Sequence, residues 1–323
     1  MDLHKLISML ADGEFHSGEE IGECLGVSRA AIWKQIKRIE ELGLDVFKVT
    51  GKGYKLSAPI RLLDGDRIFD GLNSSASSWI RKLDVLTITD STNQRALDLA
   101  DTVAGKGYLC FAEYQSQGRG RRGRKWVSPL GSNLYFSMVK EFANGAAALE
   151  GLSLMVGLSI VNALKEFDIG GLSLKWPNDV ILEGKKVAGI LLEMTGDPSG
   201  LCQVVIGVGI NVAKSKMMDE IDQAWISLGE VSNSSLDRNQ LAISVVNSLV
   251  ASLEKFEVEG FAAFRPGWSE YDALKGRSVS LATANNSING DVVGVDDTGG
   301  LLLRTEGEIK CFKGGEITVR LES

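Results

Sequence analysis

The stretch "VILEGKKVAGILLEM", Val180 to Met194, constrains this chain more than any other. Two apolar runs meet at Glu183-Gly184, which reads as an antiparallel hairpin. Around it, strand-like runs ("DVLTITD", "KGYLCFAEYQ", "NLYFSMV", "LSLKWPND", "CQVVIGVGINV") are interspersed with helical patterns. The helices are "STNQRALDLA", which Ser91 or Thr92 can cap, an amphipathic stretch around Leu149 to Phe167, and another around Asn239 to Phe256. Interleaving alone would suggest a doubly wound parallel sheet. A hairpin inside it requires antiparallel neighbours, so a mixed sheet in an α+β chain is expected.

The two ends differ in texture from this middle. At 323 residues the chain exceeds the usual size of one domain, and "SAPIRLLDGD" interrupts the pattern with a proline and a glycine turn. Three domains are expected, at 1–60, 65–275 and 276–323. In the first, "GEEIGECL", a Gly26-Val27 turn and a helix capped by Ser28 have helix-turn-helix spacing, with Ile32, Ile36 and Ile39 on one buried stripe. "DVFKVTGKGYKLS" adds a hairpin, or wing, around Gly51-Lys52-Gly53. Residues 26–57 carry Arg29, Lys34, Lys37, Arg38, Lys48, Lys52 and Lys55 against Glu40, Glu41 and Asp45. That basic half would meet phosphates, which makes Ser28, Arg29, Lys34, Lys37 and Lys52 the candidate DNA contacts. A helix pair and hairpin used for protein contacts has the same spacing. Trp33 lies off the isoleucine stripe and suits either a surface or a dimer contact. In the last domain, short alternating runs cut by "NNSING", "DDTGG", "EGE" and "KGGE" predict a small antiparallel barrel.

Charge and residue usage remove several classes of function. A net charge of -7 argues against an all-over basic coat for nucleic acid. Cys24, Cys110, Cys202 and Cys311 lie far apart, as reduced thiols of a cytosolic protein do, rather than disulfide or zinc ligands. "MDLHKLISML" lacks the basic start of a signal peptide, and "LSLMVGLSIVNAL" is too short to span a bilayer, so a cytoplasmic protein with no membrane partner is expected. Both histidines, His4 and His16, sit in the first segment. The rest of the chain therefore has no Ser-His-Asp triad, Cys-His dyad or histidine-ligated zinc. Its chemistry must use Lys, Arg, Asp, Glu, backbone groups or an exogenous metal.

"GRGRRGRKW" satisfies G-x-G-x-x-G at Gly118, Gly120 and Gly123, but a strand-like run follows where a dinucleotide site needs a helix. What survives is a mobile loop bearing Arg119, Arg121, Arg122, Arg124 and Lys125, whose guanidinium groups pair phosphates and carboxylates. The loop alone fits a small anion, a nucleic acid or a solvated surface equally. "LKWPND" adds Lys175-Trp176, extended before a proline, and then Asn178-Asp179, with oxygens suited to a hydrated magnesium or a ribose. Lys186 lies just past the hairpin turn, where a lone lysine is ordinarily a solubility residue. "GVGIN" reads as a buried strand with close backbone packing, with Asn211 at its end.

Taken in order, "DSTNQ", "EYQSQGRGRRGRKW", "KWPNDV", "GKKVAGILLE" and "GVGIN" resemble the catalytic domain of biotin protein ligases. With "GVSRAAI" and "GKGY" before them and "GGEI" after, the chain resembles the bifunctional form, a biotin ligase that also represses a biotin operon. The resemblance covers essentially the whole chain and is least typical at "MVKEFANGAA". It implies a class II synthetase/biotin ligase-like central domain and an SH3-like terminal β-barrel. It implies that biotin and ATP give biotinyl-5'-AMP, and that biotin then passes to a lysine of a biotin carboxyl carrier protein, a subunit of acetyl-CoA carboxylase.

Residue by residue, the resemblance implies that Ser91, Thr92, Asn93 and Gln115 hold the biotin ring and ureido group. Arg119, Gly120 and Arg121 would close over the biotin carboxylate and the adenylate phosphate, with Arg124 and Trp126 completing the cover. Lys186 would reach carboxylate and phosphate, which makes it and Arg121 the catalytic pair. Lys175, Asn178, Asp179 and Asn211 would serve ATP and Mg2+, Asn178 and Asp179 being the metal candidates, and Arg320 would contact ATP from the terminal barrel. The adenylate is implied to act as corepressor by promoting a homodimer on operator DNA. A lipoate ligase, a ligand-sensing regulator with an inactive ligase-like domain, and a ligase whose first domain only stabilises the rest remain alternatives.

Overall fold

The protein is described by a computed structural model covering residues 3–100, 102, 107–143, 145, 149–197, 199–232, 236–282, 287–314 and 318–321. Its first segment comprises α1 (Leu3–Leu10), α2 (Gly18–Leu25), α3 (Arg29–Glu41), β1 (Val46–Val49) and β2 (Gly53–Leu56). Ser17 and Glu20 form a capping box at the start of α2, and Gly26, at φ 65°, ends it in the left-handed conformation. The Ser28 hydroxyl accepts the Ala31 N–H at the start of α3. Ile32, Ile36 and Ile39 are fully buried against Leu6, Ile7, Leu10 and Ile21, as their spacing predicts. β1 and β2 pair antiparallel as the wing.

The middle of the chain runs α4 (Gly65–Asp70), α5 (Ser74–Trp79), β3 (Lys82–Leu86), α6 (Thr92–Ala100), β4 (Tyr108–Ala112), β5 (Leu134–Phe142), α7 (Leu152–Lys165), β6 (Leu172–Lys175), β7 (Asp179–Leu182), β8 (Lys185–Gly196), β9 (Cys202–Ile210), α8 (Arg238–Glu259) and α9 (Arg265–Glu270). Seven strands form one sheet in the order β3-β4-β5-β9-β8-β7-β6. Only β3 and β4 pair in parallel, so the sheet is mixed, and the hairpin turns at Glu183 and Gly184, both at positive φ. The helix expected to be amphipathic is not. Nearly all of α7 is buried, because the sheet covers one side and α8 the other, and a helix apolar all round belongs inside. The short α4 and α5 were not anticipated; each is six residues long and is started by a side-chain cap, Asp64 and Asn73.

Alternation along the strands gives the sheet two different faces. Leu134, Phe136 and Met138 of β5, with Val204, Ile206 and Val208 of β9, join α7 and α8 in the main core. Tyr135, Ser137, Gly207 and Gly209 alternate with them and face the other way, towards α6 and the loops. The last strands, β10 (Ser278–Ala282), β11 (Ser287–Val295), β12 (Leu301–Thr305), β13 (Glu308–Phe312) and β14 (Thr318–Leu321), form an antiparallel sheet ordered β13-β12-β11-β10-β14. No β13–β14 pairing closes it among the described residues. Val279, Leu281, Leu301 and Leu303 belong to the same core as the central helices. Residues 283–286, which include the first two of "NNSING", residues 315–317 of "GGEI" and half of the "FANGAA" stretch lie outside the described residues.

Candidate active site

Three glycines make the floor. Gly189 of β8 pairs with Gly209 of β9, and Gly207 lies two residues back on the same face. A Cβ at Gly209 would enter the Trp126 indole, one at Gly189 would crowd that ring and the Lys186 chain, and one at Gly207 would enter the Asn93 amide. Side chains thus lie directly on bare backbone, the close approach that a glycine inside a strand permits.

One wall is polar and already organised. The backbone N–H and the hydroxyl of Thr92 donate to Gln115 Oε1 at 2.8 and 3.1 Å, and Gln115 Nε2 donates to Ser128 Oγ at 3.0 Å. Ser137 Oγ lies 2.8 Å from Thr92 Oγ1 and 2.5 Å from Asn93 Oδ1. The Asn93 amide donates to Glu193 at 2.7 Å. Ser91 is buried at the start of α6, where its hydroxyl accepts the Gln94 N–H. A network satisfied in this way holds each amide in one orientation.

The other wall is cationic. Residues 118–126 fold back as a small hairpin: Gly120 N–H donates to Arg124 O, Trp126 N–H donates to Gly118 O, and Arg122 and Gly123 turn the corner at positive φ. Arg121 donates to Asn178 Oδ1 at 3.1 Å and to the Gly314 carbonyl. These two oxygens orient the guanidinium. Burial lowers its pKa, as do Arg122 and Arg124, while Asp179 opposes them. Arg119 is held between Gln94 and Glu193, each at 3.3 Å.

Lys186 reaches this wall through a bulge. The β7–β8 register shifts between Val180 and Ile181, so Val187 and Ala188, though consecutive, both enter the core and Lys186 is left on the glycine face. Its backbone is pinned on both sides, to Ala224 O and by Ile226 N–H. Its ammonium lies 2.6 Å from Asp179 Oδ1, an ion pair whose angles fall short of a hydrogen bond, and 5.3 Å from the Trp126 ring centre.

Two adjoining pockets collect most of the expected residues. Ser91, Thr92, Asn93, Gln115, Arg119 and Trp126 line the first; Arg121, Arg124, Lys175 and Asp179 line the second; Asn178 and Lys186 border both. Gly120 lies in the hairpin above. Asn211 stands apart, beside Trp126 and Trp225, with its amide 3.5 Å from Lys186 O. Arg320 pairs with Ser280 through its backbone, and its side chain is outside the described residues. Ser137, Glu193 and the floor glycines were missed as site residues. The signal for Ser137 was a hydroxyl in an otherwise apolar strand.

Residues 85–211 match the biotin/lipoate A/B protein ligase family, residues 3–55 an HTH domain, and residues 275–320 the biotin protein ligase C-terminal domain. Along nearly its full length the chain is 47% identical to the bifunctional ligase/repressor BirA of Salmonella typhimurium, over 98% of this chain and 96% of that protein. The chain belongs to the biotin/lipoate A/B protein ligase family. Other members fall in line with this. The bifunctional ligase/repressor BirA of Escherichia coli is 45% identical over the same 98% and 96%. The structure of the Aquifex aeolicus biotin protein ligase in complex with biotin and ATP superposes with a TM-score of 0.66 at 34% identity, covering 75% of this chain and all of that one. No helix among the described residues is long and apolar enough to cross a membrane.

Proposed function

We propose that this protein is an ATP-dependent biotin protein ligase whose first domain binds operator DNA as a repressor. The observation that carries the reading is the pairing of two walls over one glycine floor: a neutral amide and hydroxyl network on one side, Arg121 and Lys186 on the other. Ser91, Thr92, Asn93 and Gln115 suit an uncharged ureido ring, which asks for donors and acceptors and no net charge. The cations suit what is attached to it, a carboxylate beside a triphosphate.

The biotin carboxylate oxygen attacks the α-phosphorus of ATP, the bond to pyrophosphate breaks, and biotinyl-5'-AMP forms. Two anions must approach, so their repulsion is offset by fixed positive charge on Arg119, Arg121, Arg124 and Lys186. No base is needed, because the carboxylate is already ionised at neutral pH. Trp126 Nε1 is buried with no hydrogen-bond partner, a donor left for an adenylate oxygen while its ring excludes water. An acceptor lysine amine then attacks the acyl carbon and AMP leaves. A biotin carboxyl carrier protein is the acceptor this chemistry serves.

Magnesium fits this site on its donors. Asp179 Oδ1 keeps acceptor capacity beside the amide of Asn178, and one carboxylate with substrate phosphates is a common magnesium arrangement. Bound there, the ion would offset charge on the triphosphate. No cluster of three His, Cys, Asp or Glu exists among the described residues, so substrate phosphates and water would supply the remaining ligands. Lys175 and Asn211 are assigned to ATP on the resemblance of their motifs, and Arg320 on its place in the terminal barrel.

In the first domain Ser28 caps α3, Arg29, Lys34 and Lys37 are exposed along it, and Lys52 stands at the wing tip. These residues would meet DNA, with the adenylate promoting a homodimer on a two-fold operator. The test incubates the protein with ATP, magnesium and either biotin or lipoate, with and without a carrier domain, and follows adenylate and labelled lysine by mass spectrometry. Biotinyl-AMP and a biotinylated lysine are expected. No adenylate from either acid overturns the enzyme reading, and lipoyl-AMP alone replaces biotin with lipoate.

A further inference from the structure

The most conspicuous side chain left without a role is Trp33. It sits near the middle of α3 with 49% of its surface exposed, whereas Ile32, Ile36 and Ile39 of the same helix are fully buried. Arg29 precedes it by four residues and Lys37 follows by four, so the three form one line along the helix. Lys37 Nζ lies 3.9 Å from the indole centre, a cation–π contact that favours one orientation of the ring. Beside the ring a groove opens between helix and wing, lined by Arg29, Trp33, Lys48, Thr50, Gly51 and Tyr54. Glu19 on its rim pairs with Arg29 at 3.5 Å, and Lys48 pairs with Glu40 at 2.7 Å.

A half-exposed indole at the centre of a basic surface is apolar area held in water, and it is offset only when something apolar covers it. The cations choose the occupant. A second copy of this face would bring Arg29, Lys34 and Lys37 against their own kind, whereas DNA brings phosphates to the cations and base edges to the ring. The one apolar group that the major groove displays is the thymine C5-methyl.

Resting on the reading that this domain binds DNA, we propose that Trp33 is a base-reading residue which selects thymine through contact with its C5-methyl group. The cationic neighbours position the helix on phosphates and carry no base preference. Sequence choice at one step of the operator therefore depends on the indole. Trp33 lies outside the isoleucine core, so its replacement leaves the helix packed.

The experiment uses the full chain with ATP, magnesium and biotin, and selects bound sequences from a random duplex library. Each thymine of the enriched motif is then replaced by uracil, which removes only the methyl. The wild-type protein is expected to lose about tenfold in affinity at one such position, within the range of a single mismatched pair. Trp33→Ala is expected to show no uracil penalty there, Trp33→Phe an intermediate one, and both an unchanged salt dependence, because no phosphate contact is lost. Ligase activity of both variants reports that the rest of the chain is intact. If the wild-type protein enriches no sequence, the DNA-binding reading falls and this one with it. If it enriches a motif but Trp33→Ala keeps every uracil penalty, or loses self-association with its base preference unchanged, only this proposal falls.

Discussion

At residue 209 a single hydrogen atom decides whether Trp126 can lie against the sheet. Gly209→Ala would put a methyl into the indole, and overfilled contacts of this kind cost about 1–3 kcal/mol. Adenylate formation, followed as pyrophosphate release in a single turnover, should slow about tenfold or more while far-UV circular dichroism stays unchanged. Lys186→Ala should slow the same step by at least about a hundredfold, the usual loss when a fixed donor to a developing charge is removed. Its DNA affinity in the absence of biotin should be unaltered, as measured by fluorescence anisotropy. The two residues were not equally legible. "GVGIN" announces a strand under close packing, but its partner is the indole of a loop more than eighty residues earlier in the chain, and no local pattern connects them. Lys186 owes its aim to a bulge, and a one-residue slip in register leaves no mark on an alternating apolar run.

Among elements, α2 carries the clearest local signal and a titratable neighbour. "HSGEE" contains Ser-x-x-Glu, the capping-box signature, and the box is formed. His16, just before it, lies 2.9 Å from Asp12 and 3.1 Å from Glu20. Burial lowers its pKa, but hydrogen bonds and charge from Glu20 and Asp12 outweigh that and raise it above 6.5. A group raised on folding stabilises the fold fully below its unfolded pKa, and that contribution disappears as pH rises through the folded value. The melting temperature of wild type minus that of His16→Gln should therefore be about 1–2 °C larger at pH 6 than at pH 8.5, as expected of an exposed ion pair. Helix α3 was equally readable because its cap and stripe are local. For α7, the stretch around Leu149 to Phe167 was expected to be amphipathic; its burial on two sides depends on α8, which begins more than seventy residues after α7 ends. At six residues, α4 and α5 are too short to show a period.

Across the whole molecule, the linker between the first two domains is clamped rather than free. Glu113, at the end of β4 and 1% exposed, accepts the Leu63 N–H and pairs with Arg238 at 2.8 Å. Arg238 also donates to Arg61 O and Asn133 O, and Asn239 bonds the backbone of Leu62 and Asp64. Glu113→Gln would leave the Arg238 charge buried and unpaired, at a cost of about 3–5 kcal/mol. The urea midpoint of the full chain should fall sharply, and Glu113→Leu with Arg238→Met should recover only part of the loss, because the Leu63 N–H and the Arg61 and Asn133 carbonyls lose their partners. Sequence reading placed a linker and boundary here because proline and glycine were visible, whereas a buried ion pair spanning residues 113 and 238 was not.

A second seam lies alongside. Leu130, four residues past Trp126, is fully buried among the side chains of the first domain, and its N–H donates to Leu42 O at the end of α3. Lys216 and Ser215 reach Asp45 and Gly43 just beyond. The two activities are therefore not separable cassettes. A fragment starting at residue 65 would carry an open wound of Leu130 and Tyr114, with Glu113 deprived of the Leu63 N–H, and a transplanted winged helix would lack the surface on which α3 ends. A substitution on this seam is therefore a change to both halves at once.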